Sequence, residues 1–292
     1  MLMAVLVSML LFSGCGLKYT LKDPTLSTIE YAAKSSPQKT IQIIDKRSGE
    51  DLYFAYGKIG LGTSLRDLSG ILKFSNITEP VSYFAEQLED ELQQRGISVK
   101  VIASEVESPG ATLEVRRYQI VNYRASGFSP WEAGHVFDGL LNFGGKTKRI
   151  TAYMYNGKTP VWSMDEIQEP CFNIPASILI QDIASKINKE LFDLRSPDTE
   201  IARLVEEIDA EMDKKPEEGP FWKVLELGYT NNPNAITPLK NYAKIGDPFF
   251  KSCAISALGI VGTHKDFDFV KQVYEETLYN EKYMAVKAMG DI

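Results

Sequence analysis

The sequence predicts an α+β domain, a mixed sheet with helices on one face, followed by an all-α segment of helical repeats. Three observations predict it. Apolar residues alternate at strand spacing, then recur at helix spacing, then alternate again between Lys39 and Ala103. Further strand and turn signals lead into a long apolar helix ending near Leu191. Finally, the C-terminal part repeats itself at an offset of 31 residues.

The chain opens on MLMAVLVSMLLFSG, residues 1–14, which carry no charge and fall short of the ~20 apolar residues a membrane span needs. A short apolar core followed by small residues reads as an export signal peptide. Ser13, Gly14 and Cys15 resemble the bacterial lipoprotein box, in which a small residue precedes an obligatory cysteine. The resemblance implies that residues 1–14 are removed, and that Cys15 is thioether-linked to a diacylglycerol and becomes the mature N-terminus. It further implies palmitate-like acylation and a place in the cell envelope. Two or more acyl chains anchor stably, whereas one holds only reversibly. Gly16, rather than Asp, after the cysteine resembles an outer-membrane address facing the periplasm. Residues 15–37 are read as a tether.

An α+β domain is placed at 38–195. KTIQIIDKR, Lys39 to Arg47, is a strand, and EPVSYFAEQLEDELQQRG is a helix with Val81, Phe84, Leu88 and Leu92 on one face, Pro80 near its start and Gly96 closing it. SVKVIA, Ser98 to Ala103, completes a β-α-β unit with parallel pairing. Thr112 to Arg124 is a long strand whose alternation slips near Arg117, which predicts a bulge. SPWE, Ser129 to Glu132, has the form of a capping box and predicts a short helix through Phe143. KRITAYMYNGKTPVWSMDEIQE predicts two strands turning at Asn156-Gly157, and Asn173 is placed to cap a helix carrying Ile180, Ile183, Ile187 and Leu191. This order, with a strand ending in Asp45-Lys46-Arg47 and the helix closed by Gly96, resembles the envelope lipoprotein domains of the YajG and ABC-transport-auxiliary type, related in shape to the N-terminal domain of TolB. The resemblance implies envelope assembly, partner binding or service to a transporter.

Residues 196–219 form a connecting helix and linker, with Ile201, Leu204, Val205, Ile208 and Met212 in one stripe and KKPEEGP ending it. In 220–292, CAISALGIV from Cys253 returns as MAVKAMGDI from Met284, matching Ala254, Ala257 and Gly259 to Ala285, Ala288 and Gly290. Ile236, Leu239 and Tyr242 match Phe267, Val270 and Val273 at the same offset, and PFWKVLELGYTNN reads as the second helix of an incomplete preceding unit. With Asp247 and the ALGxxG run of Ala257 to Gly262, the segment resembles HEAT repeats. Such repeats bury their apolar faces only against neighbours. An array stopping at Ile292 is therefore either truncated or packs its unfinished face on something else.

Composition is that of a globular protein, 44% hydrophobic and 24% charged with net charge -7. From Ser196 onward there are 11 Lys+Arg against 17 Asp+Glu, a net of -6, which argues against a nucleic-acid partner. Cys171 and Cys253 are either bridged or two buried small hydrophobes. The two histidines, His135 and His264, have no second ligand at metal spacing, so neither a metal nor a cofactor is expected. GKIGLGTS, Gly57 to Ser64, misplaces the lysine of a phosphate loop and reads as a surface loop. Asp165, Glu166 and Glu169 read as a solvated edge, and Asp45 with Arg47 as a structural ion pair. FSPWEAGHVFDGLLNFGG concentrates Phe128, Trp131, Phe137, Leu140 and Phe143, read either as core or as a surface for a partner or lipid.

The expected function is that of a membrane-anchored, non-enzymatic adaptor binding another envelope protein. The alternative is a lipid-binding auxiliary of an envelope transport system. HEAT-like repeats also occur in pigment-attachment lyases, but the sequence shows neither their nucleophile nor their base.

Overall fold

The computed structural model describes residues 18–32, 38–61, 64–67, 73–125, 129–212, 221–278 and 280–292. Its organising element is the strand β7, Ala111–Arg124, long enough to serve two partners on one edge. Its first half pairs in parallel with β2, Lys39–Asp45, and its second half with β3, Ala55–Leu61. Between these halves the register against the opposite neighbour, β8 (Trp131–Phe143), shifts at Val115/Arg117. The bulge sits where the alternation slips in the sequence. It changes the parity of the buried positions from Ala111, Leu113 and Val115 to Tyr118 and Ile120, so one face stays in the core. β6 (Val99–Ile102) pairs in parallel with β2, and β4 (Ser64–Asp67) antiparallel with β3. β9 (Lys146–Lys158) closes the far edge beside β8, completing a mixed seven-stranded sheet. A separate two-residue pairing joins β1, Lys18–Tyr19, to β5, Lys73–Phe74.

Helices α1 (Pro80–Gln94) and α2 (Ile174–Leu191) cover the sheet with the apolar faces expected, Val81, Phe84, Leu88 and Leu92 on one and Ile180, Ile183, Ile187 and Leu191 on the other. Pro80 stands in the first turn of α1, and Gly96 follows its end with φ +86°, a conformation that costs glycine little.

Three local expectations are corrected. Trp131–Phe143 is a strand, not a helix: Trp131, Ala133, His135, Phe137, Gly139 and Leu141 alternate inward, and the ladders to β7 and β9 outweigh the capping-box signal at Ser129. The hairpin turns at Gly144-Gly145, φ +51° and +75°, rather than at Asn156-Gly157, which lies within β9 opposite Ala133 and Glu132. Asn173 caps nothing; a wide turn at Gln168–Asn173 runs straight into α2, and its amide holds Glu169 and the backbone of Lys22 instead. Two broader readings also change. Within GKIGLGTS, residues 57–61 and 64 belong to the antiparallel strands β3 and β4 rather than to a loop, and residues 62–63 lie outside the described residues. The supposed tether is, from residue 18, laid along the body with Leu21, Ile29 and Tyr31 buried.

Beyond Ser196, α3 (Asp198–Glu211), α4 (Phe221–Tyr229), α5 (Ile236–Tyr242), α6 (Pro248–Val261), α7 (Phe267–Glu276) and α8 (Asn280–Asp291) form three successive helical hairpins. The period of 31 recurs in detail. Asn232 and Thr263 cap equivalent 3-10 turns, Pro233–Ala235 and His264–Asp266, ahead of α5 and α7. A Cβ on Gly228 would lie 2.8 Å from Ala257 Cα, and one on Gly259 2.7 Å from Ala288 Cα, so α4, α6 and α8 stack at glycine-to-alanine contacts. The same position in α8, Gly290, faces open space. Gly259→Ala is therefore expected to destabilise by about 1–3 kcal/mol through overpacking. Gly290→Ala should leave stability unchanged or raise it by up to about 1 kcal/mol. Urea unfolding of the two variants checks this; equal effects would contradict the stacking. The apolar core runs without a break from the sheet through α2 into these helices, across the boundary expected at residue 195.

Candidate functional site

The sheet edge and the helical hairpins meet along β9, and between them lies an open cleft of about 340 Å³. Tyr153, Met154 and Tyr155 of this edge strand line one side of it. Leu225 of α4, Phe249, Ser252, Cys253 and Ser256 of α6 and the buried Met284 of α8 complete the lining, with the exposed Tyr283 of α8 at the rim. No lining residue carries a formal charge. The Ser252 hydroxyl donates to the Pro248 carbonyl at 2.8 Å, whereas the Ser256 hydroxyl makes no hydrogen bond among the described residues. Burial pushes the Cys253 thiol well above its ordinary range, with Asp247 adding to the rise, so it stays a neutral thiol rather than a nucleophilic thiolate. Burial, then a hydrogen bond to Glu132, likewise raises the Tyr155 phenol. The cleft is of ligand-pocket size, with a mostly apolar wall and a few hydroxyls.

Two buried ionic clusters hold this geometry. Asp182 and Lys186 of α2 meet Lys287 and Asp291 of α8 in a closed ring: Lys186 Nζ lies 2.9 Å from Asp182 and 2.8 Å from Asp291, and Lys287 Nζ 2.8 Å and 3.0 Å from the same two. Burial alone would raise the Asp291 carboxyl, but the Lys287 and Lys186 ammonium groups outweigh it and hold it below the usual carboxylate range. Nearby, Lys189 Nζ donates to the Ile260 and Gly262 carbonyls at the end of α6. The second cluster centres on Arg95, which is fully buried. It donates to Glu91 at 2.5 Å, Tyr31 at 3.1 Å, Ser185 at 2.6 Å and the Gln181 carbonyl at 3.0 Å, and lies 5.2 Å from the Tyr229 ring.

Of the residues the sequence singled out, Cys15 and Phe128 lie outside the described residues. Trp131 and Phe137 are each 1% exposed and belong to the core, while Leu140 and Phe143 are half-buried, so the expected partner surface is not assembled from them. The parity of β8 turns both rings inward. Asp45 and Arg47 form a two-pronged ion pair at 3.0 and 2.9 Å. The carboxylates disperse: Asp165 is exposed, Glu166 accepts from the Trp162 N–H, and Glu169 pairs with Lys22 at 2.7 Å. Cys171 and Cys253 are buried and unbridged. Among the described residues no cluster of three or more His, Cys, Asp or Glu could hold a metal, and no helix is long and apolar enough to cross a membrane.

His135 is 1% exposed on β8, and its Nε2–H donates to the Cys171 carbonyl at 2.8 Å. Burial lowers its pKa to about 4 despite that bond. Because the folded value lies below the ordinary one, the stability it protects is complete above about pH 6.5 and is lost as pH falls towards 4. The loss is on the order of 3 kcal/mol. His135→Gln should flatten this part of the stability profile, read by urea unfolding from pH 7 to 4; an unchanged slope would contradict the assignment.

No family model matches the chain, and no curated protein does. Among solved structures, a protein from Xanthomonas campestris of the DUF330 family is similar at a TM-score of 0.34 and 10% identity, over 57% of this chain and 90% of that one. A second, described only as an uncharacterized protein, is similar at 0.30 and 14% identity, over 59% and 94%.

Proposed function

We propose that the protein is a non-enzymatic adaptor of the bacterial cell envelope, lipid-anchored through Cys15 at the outer membrane, facing the periplasm, and presenting a HEAT-like helical array to another envelope protein. The observation that carries the adaptor reading is the exposed apolar face of α8. Gly228 and Gly259 each receive an alanine of the next helix, while Gly290 on α8 receives none among the described residues, and Tyr283 and Val286, seven and four residues before it on the same helix, stand 66% and 52% exposed. A repeat face of this kind is stable when a neighbour covers it. The anchor reading rests on the lipoprotein-box resemblance and the YajG-type order of elements. It sets the body close to lipid: Lys18 follows Cys15 by three positions, a reach of about 11 Å at most. The exposed Trp162 stands at the same end, since the Gln168 amide donates to the Thr20 carbonyl and the Asp165 charge acts on Tyr19. Tryptophan suits a membrane interface.

A photo-crosslinking residue placed at Val286 tests the partner. One dominant protein adduct in intact cells, absent when the crosslinker stands at exposed Lys148 instead, is expected; identical patterns from both positions would refute a dedicated docking face.

A second reading, a lipid-carrying auxiliary of a transport system, is favoured by the uncharged cleft along β9. Native mass spectrometry of protein taken from the envelope should then show a retained lipid, and its consistent absence would count against this reading.

A further inference from the structure

We infer that the cleft between β9, α6 and α8 receives the hydrocarbon chain of a single-chain amphiphile with an uncharged head; this rests on the lipid-carrying reading and names its ligand. Three features of the site define the class. The walls are uncharged, so an ionised head inside would find no partner; of the two lysines of α8, Lys282 lies over the Tyr274 ring, 4.5 Å from its centroid, and Lys287 is committed to Asp182 and Asp291. The volume of about 340 Å³ lies at the lower end of the roughly 300–1,000 Å³ of small-molecule pockets, which suits one medium-length chain rather than a two-chain lipid. Met154 and Met284 line it with unbranched, adaptable side chains, which conform to a flexible chain better than branched ones do.

The polar groups are placed for a neutral head. Tyr283, 66% exposed, stands at the rim, and the Ser256 hydroxyl on the wall retains its donor and acceptor capacity. A glyceryl or similar hydroxyl-bearing head suits these groups, whereas a carboxylate would need a cation that the lining lacks.

Cys253 supplies the test, because its thiol lines the cleft while that of Cys171 sits in a separate apolar cluster against Trp131. Mercuration of both thiols by methylmercury, which displaces the thiol proton and needs no pre-formed thiolate, is followed by mass spectrometry on the full chain, kept in solution by an amphipathic polymer, with and without monolauroylglycerol. Selective slowing at Cys253 by fivefold or more is expected, with Cys171 unchanged and laurate at pH 8 far less effective. No slowing, or equal slowing of both thiols, would overturn the placement. Ser256→Phe, which fills the cleft, should abolish the protection; should that variant not fold, the wild-type comparison of the two thiols still decides. A lipid retained from cells without Cys253 protection would leave the lipid-carrying reading standing and this site wrong. Protection without any retained lipid would do the reverse.

Discussion

Arg95→Met is expected to lower stability by about 3–5 kcal/mol. The guanidinium is fully buried and ties four parts of the chain together. Glu91 lies one turn before it on α1. Tyr31 belongs to the N-terminal segment, Ser185 and Gln181 to α2, and Tyr229 to α4. Burial works against the charge, but Glu91 and the Tyr31 hydroxyl outweigh it, so Arg95 is held more firmly protonated than in water. Methionine fills much of the volume, yet among the described residues it leaves the Glu91 carboxylate with only the Ser27 N–H at 3.0 Å as a partner. An unpaired buried charge accounts for most of the cost. The double variant Arg95→Met with Glu91→Gln should therefore recover a substantial part of the loss, read as a urea midpoint. A double variant as unstable as the sum of its singles would show that the two side chains act independently.

Lys287→Met should also cost about 3–5 kcal/mol, and the damage should be local before it is global. The ring balances two lysines against two aspartates, with side chains only 3–9% exposed. Removing one ammonium leaves two carboxylates sharing Lys186. Because α8 rests on β9 and α2 through this ring, its amides should exchange hydrogen far faster than those of α1 in the variant. Asp291 fixes the acid limit of the same latch. Its carboxyl is held below the usual range, so its contribution is present above about pH 4 and is lost as pH falls through the lower folded value. On the alkaline side, burial opposes the Lys287 charge but Asp182 and Asp291 outweigh it and raise its pKa, so that contribution persists through neutral pH. Exchange in α8 that is unchanged in Lys287→Met would contradict the latch.

The two ionic clusters show where the sequence falls silent. In EDELQQRG, Glu91 and Arg95 read as an ordinary solvated pair one turn apart, and Asp182/Lys186 and Lys287/Asp291 have the same spacing. What distinguishes the second pair is its setting: Asp182 and Lys186 lie in a helix with Ile178, Leu179, Ile180, Ile183 and Ile187 buried around it, so no solvent face was available to them. The cleft left no local signal, because its walls come from residues 153–155, 225, 249–256 and 283–284.

Regular patterns were readable where one face of an element meets the core. The β-α-β unit, the faces of α1 and α2, the bulge in β7 and the stripe of Ile201, Leu204 and Ile208 in α3 all appear where apolar periodicity places them. The glycine and alanine matches at an offset of 31 became close helix contacts. Reading failed at β8, where a local capping signal at Ser129 competed with a period-two pattern. The tight turn that decides the matter, Gly144-Gly145, lay at the end of the supposed helix. Aromatic residues grouped in sequence there are separated by strand parity, so Trp131 and Phe137 enter the core.

Anchorage through Cys15 is the premise on which the adaptor reading stands, and metabolic labelling measures it most directly. Bacteria supplied with an alkyne-bearing fatty acid and expressing the full chain should yield labelled protein in the membrane fraction, and Cys15→Ala should carry no label and leave that fraction. Equal labelling of the two forms, or a wild-type chain that is unlabelled and free of membrane, would contradict the account.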